Sequence, residues 1–227
     1  MSLISALANV HHQGQFGDFE DKKGDDLLKI SEKKNLLIVQ IVQFKNSNIP
    51  IESIDIDGLK LKDTPLNVSF NDNTRILWNG PKNWLLVSSK KDLINDISST
   101  CKEIDFAITD LSHSRAVIDI EGNYVIEVLK KGSPFNFDEL KKNNSINSLY
   151  NNIAFTVDLL NDKPFKVRLF TLRSFGESLS FKPSISILSI GILEFLNCTI
   201  CTINKFSFSE IFKRSSPFLS SKSPNRP

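Results

Sequence analysis

The feature that most constrains the fold is how short the apolar runs are and how regularly turn residues cut them. Residues 36–44 (LLIVQIVQF) form a continuous, β-branched run, which suits a strand covered on both faces. Asn46 to Pro50 ends it. Residues 53–57 (SIDID) alternate up to a turn at Gly58, and Leu66, Val68 and Phe70 alternate with polar residues as in a half-buried strand. Arg75–Trp78 and Trp84–Val87 flank Asn79-Gly80-Pro81-Lys82-Asn83, the pattern of two strands around a five-residue turn. Arg115–Glu121 alternates with Ala116, Ile118 and Ile120 on one side. Residues 153–160 and 165–172 read as a hairpin joined by Asn161–Pro164.

Only two stretches have a clear helical period. Residues 91–101 place Leu93, Ile94, Ile97 and Cys101 on one face. Residues 123–131 do the same with Val125, Ile126 and Leu129, with Gly132 expected as the C-terminal cap and Pro134 preventing continuation. Ser174 and Glu177 have capping-box spacing and predict a further helix start. The polar stretch 136–152 reads as a loop. Strands and helices alternate without βαβ spacing, so the expected class is α+β, with mostly antiparallel sheets and helices packed on one face. The expected layout is a flexible arm over 1–35, a domain over 36–178 and a Ser-rich tail over 179–227.

Charge distribution separates the tail from the body. Residues 1–177 carry 22 Lys+Arg against 24 Asp+Glu, whereas residues 178–227 carry six against two. The body has no basic stripe to neutralise a row of phosphates, so nucleic-acid binding is not expected. Twelve of the last fifty residues are Ser, Lys182-Pro183 breaks the preceding helical pattern, and the chain closes on SSPFLSSKSPNRP. From about residue 180 the text reads as foreign to the fold, as an out-of-frame extension would be; the alternative is a divergent tail with one apolar segment packing on a partner. Residues 185–203 are apolar but interrupted by Ser186, Ser189, Glu194, Asn197 and Thr199, so no membrane span is expected. MSLISALANVHHQG is too polar for a secretory signal, and three cysteines do not make a disulfide framework. The expected setting is cytoplasmic.

Motifs that could carry chemistry each have a plainer reading. Cys198 and Cys201 form a lone CxxC without the second pair a structural zinc site needs. His11-His12 are neighbours that point apart on any regular element. Asp110-Leu111-Ser112-His113-Ser114-Arg115 holds the ingredients of a nucleophile site, but adjacent Ser and His rarely reach triad geometry, and a turn with side chains bonding nearby amides is favoured. The carboxylate pairs Asp55/Asp57 and Asp25/Asp26 sit in polar contexts and read as solvated charge. No GxGxxG or GxxxxGK[ST] is present. Trp78 and Trp84 read as core, with a partner-facing aromatic patch as the alternative. No catalytic, cofactor-binding or metal-binding residue is assigned.

Three segments, in order, resemble sarcosine oxidase gamma subunits. RILWNGPKNWLLVS (75–88) is similar to that family's LW-x-GP-x-x-WLL. TDLSHSRAVIDIEGNYVIEVLKKGSPFNFD (109–138) is similar to its D-x-S-H-x-R…I-x-G…VL-x-KG-x-P-x-D, and LRSFGES (172–178) to its RSF-x-ES. The likeness covers about residues 35–178. It implies a reduced form of the folate-binding aminomethyltransferase fold of glycine cleavage. It also implies a non-catalytic, structural place in a heterotetramer with alpha, beta and delta subunits. That complex oxidises sarcosine to glycine and hydrogen peroxide and passes a one-carbon unit to tetrahydrofolate. FAD, FMN, NAD and tetrahydrofolate are then expected in the other subunits and none in this chain. The resemblance makes Arg75, Trp78, Gly80, Pro81, Trp84, His113, Arg115, Gly132, Pro134, Arg173 and Ser174 fold and interface positions. Two departures stand out: Ser133 replaces a frequent Cys, and the text after residue 178 diverges from the family's closing helix and strand. The competing reading is a stand-alone folate-binding or aminomethyltransferase-like protein, which would need a deep pocket with a carboxylate poised for a pterin.

Overall fold

A computed structural model describes residues 5, 7, 14–16 and 28–179 of the 227. The long apolar run becomes β3 (Leu37–Gln43), preceded by β1 (Gly14–Phe16) and β2 (Leu28–Glu32). Then come β4 (Asp55–Ile56), β5 (Leu59–Lys60), β6 (Val68–Phe70), β7 (Thr74–Gly80) and β8 (Asn83–Ser88). Helix α1 (Leu93–Thr100) leads to β9 (Phe106–Asp110), β10 (Arg115–Glu121) and helix α2 (Val125–Gly132). β11 (Ser145–Tyr150), β12 (Ile153–Asp162) and β13 (Phe165–Leu172) follow. Every named strand pair is antiparallel.

Two sheets carry the fold. One runs β6-β7-β8-β3-β9, the other β1-β2-β10-β13-β12-β11. Strand parity decides what each face meets. Leu37, Val39, Ile41, Trp84 and Leu86 point to one side of the five-stranded sheet and pack with Leu93 and Ile97 of α1 and with Cys101 just after it. Ile38, Leu77, Leu85 and Val87 point to the other side and pack with Val117 and Phe170 of the six-stranded sheet. β3 is therefore covered on both faces, as its unbroken apolar run requires. The far face of the six-stranded sheet takes α2, whose Val125, Ile126, Val128 and Leu129 are buried. Each sheet thus carries its helix on one face, and the fold is α+β with mostly antiparallel sheet.

The seam between the sheets is not purely apolar. Arg75 on β7 reaches across to Asp158 on β12 with a fork of two hydrogen bonds, Nε to Oδ2 at 2.6 Å and Nη2 to Oδ1 at 2.7 Å. Register places Arg168 opposite both Asp158 and Asp119 on the same face, and its guanidinium donates to Asp119 at 2.7 and 3.0 Å. Burial pushes the Asp158 carboxyl up, and the Arg75 fork pulls against that.

Several expectations need correction. Leu28–Glu32 is a strand paired with β10, so regular structure precedes Leu36; two buried positions, Leu28 and Ile30, outweigh the polar text around them. Part of 136–152 is β11, a hairpin arm closed by Asn151 and Asn152, both at positive φ. Asparagine tolerates that conformation, and the two-residue turn it permits was hidden inside what read as a loop. The turn at 79–83 is tighter than expected: β7 and β8 leave only Pro81-Lys82 between them, with a bulge at Trp78/Gly80 where Gly80 sits at φ +152°. The hairpin joining β12 and β13 likewise shrinks to Lys163-Pro164. Leu66 and Phe70 are exposed rather than facing the core with Val68. Leu66 lies at positive φ outside the strand, and the Arg75 guanidinium lies 5.2 Å from the centre of the Phe70 ring.

Gly132 is not a left-handed cap. It is the last residue of α2, and Ser133 caps in extended conformation. Its missing side chain matters for a different reason: a Cβ there would lie 2.6 Å from the Tyr150 ring. Ser174 does not cap a helix either; Arg173–Phe175 is a 3₁₀ turn without a side-chain cap, and residues 176–179 are helical where the described residues end.

Candidate functional site

The segment 110–115 joins the two sheets. β9 ends at Asp110 on the edge of one, and β10 starts at Arg115 in the other. The Asp110 carboxylate accepts from the Ser112 amide at 2.8 Å and the Ser112 hydroxyl at 2.6 Å, and the Ser114 amide donates to the Leu111 carbonyl. This is the side-chain-stabilised turn the residue types predict. Ser112 Oγ also accepts from the Ile38 amide at 2.9 Å, which ties the turn to β3. Ser112 Oγ is thus engaged on both sides, and the neighbouring His113 is exposed.

Beside this turn lies a cleft of about 550 Å³. Leu36, Ile38, Ile94 and Val117 give it an apolar floor. Lys33 and Lys34, from the β2–β3 connection, Lys91, just before α1, and Arg115 and Arg173 bring five fixed cations to its walls. The carboxylates lining it are Glu32 and Asp110. Lys34 pairs with Glu32 at 3.3 Å, and Lys33 sits 3.9 Å from the buried Asp119. Asp110 is spent on the turn. Arg115 is half-buried, and burial lowers its pKa with no carboxylate opposing the shift. The Arg173 amide donates to the Ser114 carbonyl at 2.8 Å, bringing the RSF segment against the D-x-S-H-x-R segment. Two of the three motif-bearing stretches therefore meet at one cleft.

The third stretch builds the five-stranded sheet. Trp78 and Trp84 face each other across β7–β8. Trp84 is buried in the core, and its indole N–H donates to the Lys62 carbonyl at 2.8 Å; Trp78 is partly exposed and donates to Asp63 at 2.8 Å. The core reading holds for Trp84.

Asp57 is not solvated charge. It accepts from Thr74 Oγ1 at 2.6 Å and from Lys90 Nζ at 2.7 Å, and the Lys90 ammonium above all, with Thr74, draws its pKa down to about 2. Asp55 does the ordinary turn task of accepting from the Gly58 amide. The Cys101 thiol is buried against α1 and its pKa is pushed up to about 11, which leaves it a small apolar side chain. His11-His12, Asp25/Asp26 and Cys198/Cys201 lie outside the described residues. Among the described residues no group of three or more His, Cys, Asp or Glu could hold a metal ion, and no helix is long and apolar enough to cross a membrane.

Sequence reasoning missed Lys33, Lys34 and Lys91, which lie in lysine doublets of no local distinction, and the buried Asp119 and Asp158. A signal for the last two existed: each is a lone carboxylate inside an otherwise apolar strand (AVIDI, TVDLL).

No protein-family model and no curated protein sequence matches the chain. Solved structures do. The chain shares its fold with aminomethyltransferases: over 69% of its length it is similar to the glycine cleavage system aminomethyltransferase T from Bartonella henselae, at 10% identity and TM-score 0.52, spanning 45% of that chain. It is more similar to a chain of the heterotetrameric sarcosine oxidase from Corynebacterium sp. U-96, solved in complex with pyrrole 2-carboxylate. There the identity is 19%, the TM-score 0.70, and the match covers 83% of this chain and 96% of that one. The fold is thus sarcosine oxidase-like.

Proposed function

We propose that this chain is the gamma-type structural subunit of a heterotetrameric sarcosine oxidase, working in the cytoplasm with alpha, beta and delta chains. It supports oxidative demethylation of sarcosine to glycine with transfer of the one-carbon unit to tetrahydrofolate, while FAD, FMN, NAD and tetrahydrofolate sit on the partner chains. The observation that carries this reading is the likeness along nearly the whole of one chain of such an oxidase, joined to three gamma-like segments lying in order. The chemistry of the described residues supports it: Ser112 is committed to a turn and Cys101 is buried. Affinity isolation of the full-length chain from its native source tests it. Flavin-bearing chains in fixed stoichiometry are the expected companions, and a chain isolated without them would overturn the proposal.

A second reading, a stand-alone folate-binding or aminomethyltransferase-like protein, draws support from the aminomethyltransferase likeness and from the size of the cleft. Its walls carry an excess of cations, and its one unburdened-looking carboxylate, Asp110, is already bonded twice. Stoichiometric binding of tetrahydrofolate by the isolated chain would decide for this reading.

A further inference from the structure

The cleft beside Arg115 carries more positive charge than its own carboxylates answer. Lys33, Lys34, Lys91 and Arg115 face Glu32 and Asp110, and both acids already have partners. Lys33 and Lys34 keep roughly half of their side-chain surface in solvent, at 45% and 53%, and Lys91 is exposed. Arg115 makes no ion pair or side-chain hydrogen bond among the described residues, although it is half-buried at the start of β10. A guanidinium withdrawn from water without an anion is an unfavourable arrangement unless something supplies one. Next to Arg173, Leu172 and Phe175 are each 44% exposed, so an apolar shelf adjoins the charge. An open basin of cations with flanking hydrophobes offers charge complementarity to an extended acidic segment.

We infer that this basin is a docking site for an acidic, partly apolar segment of another subunit, with Arg115 as the central anchor and Lys33, Lys34 and Lys91 as its rim. The inference rests on the subunit reading above and names the chemistry of the contact. Arg115 forks onto one carboxylate of the segment. The lysines steer it and contribute through screened, exposed contacts. Leu172 and Phe175 take its apolar residues.

A zero-length carbodiimide coupling, which joins a lysine amine to a carboxylate in contact with it, tests this on the complex isolated through the full-length chain. Mass spectrometry should find Lys33, Lys34 or Lys91 joined to Asp or Glu of a companion chain. Arg115→Gln should weaken association roughly tenfold at low salt, as expected for one charged hydrogen-bonded contact. Lys91→Gln should cost less, and its effect should fade with added salt. Arg115→Lys with an unchanged melting temperature serves as the folding control. If a complex forms but these lysines couple only within their own chain, the docking site is overturned while the subunit reading stands. If no companion chain is present, both fall. Saturable binding of benzoate or inorganic phosphate, lost in Arg115→Gln and accompanied by no coupling to another chain, would reassign the basin to a small anion and also overturn the inference.

Discussion

Asp57 shows how one carboxylate can hold a corner of the fold. It sits at positive φ after β4, and its side chain gathers Thr74, Asn71 and Lys90 from the ends of neighbouring elements. Because its pKa is drawn from 3.8 to about 2, the stability it contributes is fully present above about pH 4 and is lost as pH falls through about 2. Asp57→Asn should therefore cost about 1 kcal/mol near neutrality, discounted for the exposure of Lys90, and the variant and parent should converge at the acid end of a pH series of urea melts. Gly132 gives a second residue-scale prediction. Gly132→Ala drives a methyl into the buried Tyr150 ring and should cost about 1–3 kcal/mol by the same melt. The glycine was visible in the sequence, but its reason was not. Its position after Lys130-Lys131 suggested a cap, and only the approach of β11 reveals a steric demand made from 18 positions away in the chain.

Among elements, legibility followed the length of the apolar run: β2 also lies inside a sheet, but its buried Leu28 and Ile30 sit in polar text and it went unread. β3, β7, β8, β10, β12 and β13 were readable because each lies inside a sheet and must be apolar on at least one face. β11 was not, since it is an edge strand whose residues on one face, Ser145 and Asn147, meet polar partners across the seam. The pairing of the two sheets was also hidden, because it depends on Arg75 and Asp158 lying 83 positions apart. That contact yields a prediction at this scale. Arg75→Met leaves Asp158 buried without its counter-ion and should cost about 3 kcal/mol. Combining it with Asp158→Leu should recover most of the loss, so a double-mutant cycle should report strong coupling. If the single variant melted like the parent, the fork would not be joining the sheets.

For the molecule as a whole, composition suggested a boundary near residue 178, and the tail beyond residue 179 lies outside the described residues. Deleting residues 190–227 is expected to leave one cooperative thermal transition, with a midpoint within a few degrees of the full chain. Fold class was legible at this scale from strand spacing and turn chemistry alone. The cationic basin was not, because its walls come from four separate stretches, each ordinary by itself. A charge count along the chain reports a nearly neutral body; folding is what concentrates the cations on one spot.

The polar character of β11 has a consequence beyond its poor legibility. It forms one margin of the six-stranded sheet, a place where unpaired amides and carbonyls invite a stray strand. Asn147 is already occupied by Asn79 and Thr156 and the Ser145 amide donates to the Leu66 carbonyl, which leaves Leu149 as the exposed large hydrophobic residue on the strand. Where that margin is polar and its groups are already bonded, it is a poor template for edge-to-edge pairing with a second copy, which keeps the folded chain from clumping.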